Sequence, residues 1–332
     1  MKRMFAVLLV LIAGTSALAA SAAKKPPYTY FRVGNANDVS TGTKRSTVLM
    51  GGGTDVDAAF QWMCTRSGNG DFLVIRATGT DAYNPYIQQL CPQENSVATL
   101  IIPSAAAAND PNVAAIMQNA EAIWIAGGDQ SDYINFWTGT PVQSILKAKI
   151  TANVPVGGTS AGMNVLTQFV YSAQAPQGAT STQSLADPFN RYLTFARDFA
   201  NVSSLVGIIG DPHFVTRDRM GRDLAFLCRV AANGWNNAPR GVAIDEQTAL
   251  LIDDAGIGTL VGNSTAYFLQ APGGPQVCMP KTPLTYDNIA VQRISAGGTF
   301  DFNTWQATGA TNYSVSADNG LLSSTQPGGS AY

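Results

Sequence analysis

The sequence predicts an α/β fold in which a parallel β-sheet is sandwiched between helices on both faces. Short, nearly all-apolar segments alternate with amphipathic helical segments along residues 46–169, and strands buried on both faces read as apolar runs of this kind. Three of these segments run directly into glycine-rich turns. The hydrophobic fraction of 45% is ample for a packed core.

The predicted elements alternate between strand and helix up to about residue 169. Thr54 and Asp110 are good helix N-caps, and Pro111 and Pro141 suit the first turn of a helix. The predicted strands are 46–50, 71–77, 98–103, 121–126 and 154–156, and the predicted helices are 54–66, 141–150, 161–169 and one that starts at 110.

The second half of the chain reads as further strands around one helix. Apolar or β-type patterns cover 205–210, 241–245, 248–253 and 258–268, and a helix is predicted over 217–232. Beyond about 285 the sequence is rich in Gly, Ser and Thr, with scattered aromatic residues. The expected division is a signal segment at 1–23, an α/β domain at 24–285 and a β-rich tail at 286–332 that packs on the same domain.

The first residues are typical of a secretory signal. Lys2 and Arg3 precede an apolar run over 4–13 that is too short to span a bilayer, and small residues at 17–23 suit signal peptidase. We therefore expect a secreted or periplasmic protein that has no membrane segment after signal removal. Removing Lys2 and Arg3 from the 20 basic residues leaves 18 against 22 acidic ones, a net charge of −4, which argues against a nucleic-acid partner.

Four cysteines and a single histidine limit the chemistry of the chain. Four cysteines allow three disulfide connectivities, and we expect neighbours in sequence to pair, Cys64 with Cys91 and Cys228 with Cys278. The cysteine spacings fit no zinc motif, and one histidine argues against a histidine-based metal site. We expect neither a metal nor another cofactor.

Glycine-rich turns at 51–53, 127–128 and 157–158 close three of the predicted strands. Ligands of an open parallel sheet bind beyond the carboxyl ends of its strands, so each turn either brings backbone N–H groups to a substrate or is only a tight connection. The third turn continues into the pattern G-x-S-x-G around Ser160. A strand before this pattern and a helix after it are the context of a nucleophile elbow.

A serine hydroxyl is a poor nucleophile without a base to take its proton, and His213 is the only histidine in the chain. A lone histidine is more often an ordinary core or surface residue. His213, however, directly follows the predicted strand 205–210, at the same carboxyl edge where the elbow is expected. We therefore expect Ser160 and His213 to form a catalytic pair.

Three arginines, at positions 217, 219 and 222, follow the histidine closely. On a helix, Asp218 could pair with Arg222 at i,i+4, and the group would then be a solvated, salt-bridged face. Alternatively, the guanidinium groups bind substrate carboxylates, which arginine does in a bidentate manner.

Taken together, these motifs resemble the cyanophycinase and aspartyl dipeptidase family of serine peptidases. The resemblance is closest to the cyanophycinases, some of which are secreted, and it implies a fold similar to that of class I glutamine amidotransferases. The matching segments fall in the same order over about 45–270: Gly51-Gly52-Gly53, Gly127-Gly128-Asp129-Gln130, Gly158-Thr159-Ser160-Ala161-Gly162, Asp211-x-His213-Phe214-x-x-Arg217-x-Arg219-x-x-Arg222 and Gly241-Val242-Ala243-Ile244-Asp245-Glu246.

The resemblance implies a peptide or polymer substrate. Cyanophycin is a polyaspartate with arginine on each side chain, and cyanophycinases cleave its backbone to release β-Asp-Arg dipeptides. By resemblance, Ser160 is the nucleophile, His213 is the general base, and the N–H groups of Gly53 and Ala161 are the oxyanion donors. The residues that the resemblance places at the substrate are Gln130, Asp211, Arg217, Arg219 and Arg222.

Two departures from the family pattern stand out. Relatives commonly carry Gln before the histidine, where this chain has Pro212, and an acidic residue after the elbow helix, where residues 171–174 contain none. The third member of the catalytic group is therefore open among Asp187, Asp198 and Glu246.

Two other functions remain open from the sequence alone. An α/β-hydrolase esterase also uses G-x-S-x-G, and Asp187 or Asp198 would supply the acid between serine and histidine, but its frequent His-Gly oxyanion motif has no counterpart here. A non-catalytic binding protein would keep the pocket and lack the acid. The sequence leaves a homodimer open.

Overall fold

The computed structural model describes residues 25–332, so the predicted signal segment lies outside the described residues. Over 25–332, no helix combines the length and the apolar character that a membrane crossing needs.

The described chain forms two large β-sheets with helices around them. In chain order the strands are β1 (Thr29–Gly34), β2 (Thr47–Met50), β3 (Asp71–Arg76), β4 (Ser96–Ile101), β5 (Ala122–Ile125), β6 (Val156–Thr159), β7 (Phe169–Tyr171), β8 (Phe195–Arg197), β9 (Ile208–Pro212), β10 (Arg240–Ile244), β11 (Thr248–Ile252), β12 (Ile257–Gly262), β13 (Thr265–Gln270), β14 (Tyr286–Ser295), β15 (Thr299–Asp301), β16 (Gln306–Thr308), β17 (Thr311–Asp318) and β18 (Leu321–Ser324). The helices are α1 (Asp57–Ser67), α2 (Tyr83–Leu90), α3 (Ala105–Ala108), α4 (Pro111–Gln118), α5 (Gln130–Trp137), α6 (Pro141–Thr151), α7 (Ala161–Asn164), α8 (Ser181–Ala186) and α9 (Met220–Ala232).

The first sheet has a parallel centre and antiparallel edges. Its strand order is β1-β4-β3-β5-β6-β2-β11-β12-β15-β16, and the pairs from β4 to β2 are parallel. Along β3, Leu73 and Ile75 enter one hydrophobic core, and Phe72 and Val74 enter another on the opposite face. This period of two, buried on both sides, is what the apolar runs predicted, and the α/β fold class is confirmed.

The second sheet is built from strands in the second half of the chain. Its order is β18-β17-β14-β13-β10-β9-β7-β8, with parallel pairing only between β10 and β9 and between β7 and β9. The strands that follow the elbow are therefore divided between the two sheets, with β11, β12, β15 and β16 in the first and the others in the second. An apolar run shows that a strand is buried, but it carries no information about which sheet the strand joins.

The two sheets and the helices are held together by three hydrophobic cores. Helices α1 and α2 cover the outer face of the first sheet, and α8 and α9 cover the outer face of the second. The inner faces of both sheets share the largest core with α3 to α7. Direct contact between the sheets is seen where Phe268 of β13 stacks on Phe300 of β15, with ring centroids 3.6 Å apart.

The β-rich segment from residue 286 onward contributes to both sheets. Strands β14, β17 and β18 extend the second sheet, and β15 and β16 form the far edge of the first. The last residues return toward α9, where the hydroxyl of Tyr332 accepts the N–H of Met220 at 2.8 Å.

Three helices are shorter than their sequence patterns indicate. Helix α1 begins at Asp57, α7 is a single turn, and α9 begins at Met220. The last difference matters for the site, because residues 213–219 form a loop and not the first turn of a helix. In this loop His213 and Asp218 adopt φ values of 50° and 48°, a left-handed conformation that is uncommon for residues other than glycine.

The disulfide pairing expected from the sequence is confirmed, with Cys64 bonded to Cys91 and Cys228 bonded to Cys278. The second bridge ties α9 to the segment before β14 and spans 50 residues. Replacing both Cys228 and Cys278 with alanine should lower the free energy of unfolding by roughly 4 kcal/mol, because the unfolded chain regains the entropy of an open loop. Urea unfolding followed by tryptophan fluorescence measures this loss.

The other bridge provides the comparison for that measurement. Removing Cys64 and Cys91, which are 27 residues apart, should cost about 0.5 kcal/mol less than removing the longer-range bridge, because a shorter loop restrains the unfolded chain less. A Cys228/Cys278 double variant as stable as the unmodified protein would contradict the expected stabilisation.

Candidate active site

Ser160 lies at the turn between β6 and α7. Its backbone adopts φ 53° and ψ −115°, a strained conformation that costs on the order of 1–3 kcal/mol. Glycines make the turn sterically feasible, because a Cβ on Gly162 would overlap the carbonyl oxygen of Ile125, and one on Gly158 would lie 2.5 Å from the carbonyl carbon of Gly162. The turn holds the Ser160 hydroxyl at the carboxyl edge of the first sheet, as a nucleophile elbow does.

His213 follows β9 and reaches Ser160 from the second sheet. Its backbone N–H donates to the carbonyl of Gly51 at 2.8 Å, which ties the carboxyl edges of the two sheets together. Its Nε2 lies 2.7 Å from Ser160 Oγ. The imidazole is only 7% exposed, so bulk water has little access to this contact.

Glu246 contacts the other nitrogen of the imidazole. It lies in the short connection between β10 and β11, which crosses from the second sheet to the first. Glu246 Oε1 is 2.5 Å from His213 Nδ1. An ionised carboxylate only accepts hydrogen bonds, so Nδ1 carries the proton and Nε2 is free to accept the proton of the Ser160 hydroxyl.

Among the three acids considered as partners of the histidine, only Glu246 lies at the site. The Asp187 carboxylate accepts backbone N–H groups of Phe189 and Lys281, and Asp198 accepts the side-chain amide of Gln168 at 2.9 Å. Asp187 and Asp198 are therefore not the acids that contact the histidine, because both carboxylates are hydrogen-bonded to other groups in their loops. The one local signal that favours Glu246 is its position directly after the predicted strand 241–245.

The loop 51–53 packs against the imidazole and the carboxylate. A Cβ on Gly52 would overlap the ring of His213, and one on Gly53 would lie 2.9 Å from Glu246 Oε2. Within residues 25–332, the N–H groups of Gly52, Gly53 and Ala161 donate to no backbone acceptor. Free N–H groups beside a nucleophile are what an oxyanion site needs. The sequence motif assigns the donor role to Gly53 and none to Gly52, because nothing local shows how closely the imidazole ring approaches Gly52.

Asp211 and Arg222 form a buried ion pair near the histidine. They are 0% and 4% exposed, Arg222 Nε donates to Asp211 Oδ2 at 3.0 Å, and the guanidinium lies 4.8 Å from the ring centroid of Tyr171. Their expected contact with substrate stays a prediction, and their burial in this ion pair argues against it. The expected pairing of Asp218 with Arg222 is also replaced by this ion pair.

The remaining residues expected at the substrate differ in accessibility. Arg219 donates to Asp211 at 3.2 Å and to the carbonyl of Pro212 at 2.6 Å, and its side chain is 14% exposed. Gln130 donates to a backbone carbonyl at 3.3 Å. Arg217 is 53% exposed, with its Nε 3.8 Å from Glu246 Oε1, so it presents an accessible cation beside the Ser160–His213–Glu246 group.

The surroundings of His213 lower the pKa of its imidazole below the ordinary value. Burial is the largest cause, and the nearby Arg217 and Arg219 act in the same direction, whereas the hydrogen bond to Glu246 opposes them. The neutral imidazole, which is the form that can accept a proton, therefore persists into more acidic solution than it would for a free histidine.

The side chains at the site are arranged for acyl transfer. Ser160 supplies a nucleophile, His213 a base within hydrogen-bond distance, and Glu246 an acceptor that orients the base. In the part of the chain that the structure describes, no group of three or more His, Cys, Asp or Glu side chains is arranged to hold a metal ion.

Comparison with known proteins places this site in a family. The model of peptidase family S51 matches residues 88–260, a stretch that contains Ser160, His213 and Glu246. The cyanophycinases of Trichormus variabilis and of a Nostoc species are each 25% identical to the chain over 193 residues. That match covers 57% of this chain and spans 59% of each relative's length.

A solved structure shows the same fold. The crystal structure of a peptidase from an acI-B1 Actinobacterium aligns with a TM-score of 0.53 and 16% sequence identity, over 78% of this chain and 98% of that one. The alignment agrees with the fold expected from the motifs, similar to class I glutamine amidotransferases. Because the family model matches more than half of its residues, the chain belongs to peptidase family S51.

Proposed function

We propose that the chain is a secreted serine peptidase that hydrolyses cyanophycin to β-Asp-Arg dipeptides. The observation that carries this proposal is the hydrogen-bonded series from Ser160 Oγ through the imidazole of His213 to the carboxylate of Glu246, with distances of 2.7 and 2.5 Å. The two cyanophycinases at 25% identity support the choice of substrate.

The proposed reaction proceeds through an acyl-enzyme. Ser160 Oγ attacks the scissile carbonyl carbon while His213 Nε2 accepts the hydroxyl proton, and the Glu246 carboxylate stabilises the imidazolium that forms. The N–H groups of Gly53 and Ala161 donate to the oxyanion. The peptide C–N bond then breaks as His213 gives its proton to the leaving amine. A water molecule, deprotonated by His213, hydrolyses the ester and restores the serine hydroxyl.

Arg217 is the residue we assign to substrate binding. Its guanidinium is exposed and lies beside Glu246, so a substrate carboxylate can pair with it in a bidentate manner. The turn that precedes Gln130 lies beside the nucleophile, since a Cβ on Gly127 would lie 3.6 Å from Ser160 Cβ. Asp211 and Arg222 neutralise each other in the interior, and Asp211 also accepts a hydrogen bond from Arg219 at the end of the loop.

Mass spectrometry of soluble products tests the proposal directly. Purified mature protein and its Ser160→Ala variant are incubated with cyanophycin, and β-Asp-Arg should appear only with the unmodified protein. Dipeptide from both proteins would contradict the role of Ser160. Hydrolysis of short acyl esters without dipeptide release would favour the esterase over the peptidase as the function of the chain.

The pH dependence of the reaction should reflect the lowered pKa of His213. The base must be neutral, so kcat/KM should fall with the uptake of one proton, with a midpoint below 6.5, the ordinary histidine value. Initial rates between pH 4 and pH 8 on a soluble β-aspartyl substrate give this midpoint.

The Arg217→Gln variant tests the contribution of Arg217 to the lowered pKa of His213. Removing a cation that lowers the pKa of His213 should move the midpoint upward, toward 6.5. A rate that stays constant down to pH 4, or a midpoint above 6.5 in the unmodified protein, would argue against His213 as the base.

A further inference from the structure

The histidine loop, residues 213–219, is held at its far end by a residue distant in sequence. The hydroxyl of Tyr332 donates to Asp218 Oδ1 at 2.8 Å and accepts the N–H of Met220, the first residue of α9, at 2.8 Å. The Tyr332 ring also packs edge-on against Phe214, with centroids 5.7 Å apart. One phenol therefore contacts the loop both at Phe214 and at its junction with α9.

The loop needs such support because its two ends are strained. His213 and Asp218 both adopt left-handed φ values, which cost energy in residues with a side chain. The near half is anchored by Asp245, whose Oδ1 accepts the N–H groups of Val215 and Thr216 at 3.1 and 2.9 Å. At the far half, the Asp218 carboxylate is bonded to Tyr332.

Asp218 stands between the two arginines that flank the catalytic group. Arg217 lies 3.8 Å from Glu246, and Arg219 donates to the carbonyl of Pro212, the residue directly before the histidine. An anchor on Asp218 therefore fixes the backbone from which both guanidinium groups extend.

We propose that Tyr332 is a positioning residue, whose hydroxyl holds the histidine loop so that Arg217 stays beside Glu246 and His213 stays aligned with Ser160. This inference rests on the proposed function. It gives the β-rich segment from residue 286 onward a role in the active site, although none of its side chains reaches the nucleophile.

Tyr332→Phe removes the hydroxyl and keeps the ring, and Tyr313→Phe is the matched control. The Tyr313 hydroxyl donates to the carbonyl of Ala331 at 2.9 Å, so it secures the same terminal segment without touching the loop. Tyr332→Phe should lower kcat about tenfold, the scale of one hydrogen bond to a charged group, and should also raise KM, because Arg217, the residue assigned to substrate binding, is no longer held in place. Tyr313→Phe should lower the melting temperature by about as much as Tyr332→Phe does. Its kcat should stay close to that of the unmodified protein.

A second readout requires no turnover, because His213 is the only histidine in the chain. NMR titration of the histidine ring therefore reports its pKa without any need for assignment. The charged groups that face the ring are Glu246, Arg217 and Arg219. In Tyr332→Phe a loosened loop lets Arg217 move away and water enter, so the pKa should rise toward 6.5, whereas Tyr313→Phe should leave it unchanged.

Asp218→Gly removes the same hydrogen bond from the other side, and glycine accepts the left-handed conformation without strain. It should reproduce the part of the Tyr332→Phe effect that depends on Asp218, and the double variant should be no worse than Tyr332→Phe, because that variant already lacks the shared bond. Equal losses of kcat in Tyr332→Phe and Tyr313→Phe, or an unchanged histidine pKa in Tyr332→Phe, would overturn the proposal. If cyanophycin is not hydrolysed, the proposed substrate fails, and the titration still decides the role of Tyr332.

Discussion

Replacing Ser160 with alanine should lower kcat by about 10⁴- to 10⁶-fold. The variant leaves His213 without a hydroxyl to deprotonate, so no acyl-enzyme forms, and only the oxyanion donors and substrate binding contribute to the residual rate. KM should change little, because a methyl group fits where the hydroxymethyl group was. The measurement is dipeptide release at saturating cyanophycin, extended over days for the variant, together with labelling of the unmodified protein by a fluorophosphonate.

Ser172→Ala is a suitable control for this loss. The Ser172 hydroxyl is buried just beyond the elbow and bonds to Thr194 Oγ1 at 3.1 Å, away from His213. This variant should keep its activity within about twofold, in line with the loss of one ordinary hydrogen bond that does not touch the reacting groups. If Ser160→Ala keeps more than a tenth of the activity, Ser160 is not the nucleophile.

Replacing Glu246 with glutamine should lower kcat by about 10⁴-fold, as loss of the orienting carboxylate does in other serine hydrolases. The glutamine amide can donate to Nδ1 of His213, which moves the ring proton to Nε2. The nitrogen that faces Ser160 then has no lone pair to accept the hydroxyl proton. Steady-state kinetics on cyanophycin, with circular dichroism to confirm folding, measure the effect.

The other two acids considered from the sequence provide the comparison. Asp187→Asn and Asp198→Asn should both retain activity, because their carboxylates bond to loop N–H and amide groups and not to the imidazole. Loss of activity in Asp198→Asn alongside an active Glu246→Gln would show that the catalytic acid lies elsewhere.

The location of Ser160 and His213 could be predicted because each carries a local signal. A strand, the pattern G-x-S-x-G and a helix mark the elbow, and the single histidine follows another apolar strand. Both residues were thus expected at strand ends, and the structure places their side chains 2.7 Å apart. The parallel centre of the first sheet was predictable for the same reason, since apolar runs report burial on two faces.

The position of Glu246 depends on a feature that the sequence does not encode locally. Residues 241–245 and 248–253 read as two successive strands, but β10 pairs with β9 and β13, whereas β11 pairs with β2 and β12. The parallel pairing of β10 with β9 places Ile244 opposite Pro212, so Glu246 and His213, which follow these strands, meet at one edge of the second sheet. Local sequence signals therefore do not decide which of the three acids contacts the histidine.

The burial of Arg222 was hidden in a similar way. A charged residue early in a helix reads as solvent-facing, and Asp218, four residues earlier, is the acid at i,i+4 spacing from Arg222. Its actual partner, Asp211, belongs to β9 and is fully buried. The pairing became visible only when the strand and the helix were packed together, since a buried charge is tolerated when its partner arrives from another element.

The division of the catalytic groups between two sheets has a consequence for how activity arises. Ser160 extends from the first sheet, and His213 and Glu246 follow strands of the second; the contacts from His213 N–H to Gly51 and from Gln247 N–H to Gly52 join the two edges at 2.8 Å each. A chain in which only one sheet has formed holds a serine without a base, or a base without a serine. The group of Ser160, His213 and Glu246 is therefore complete only once the two sheets have docked at these edges.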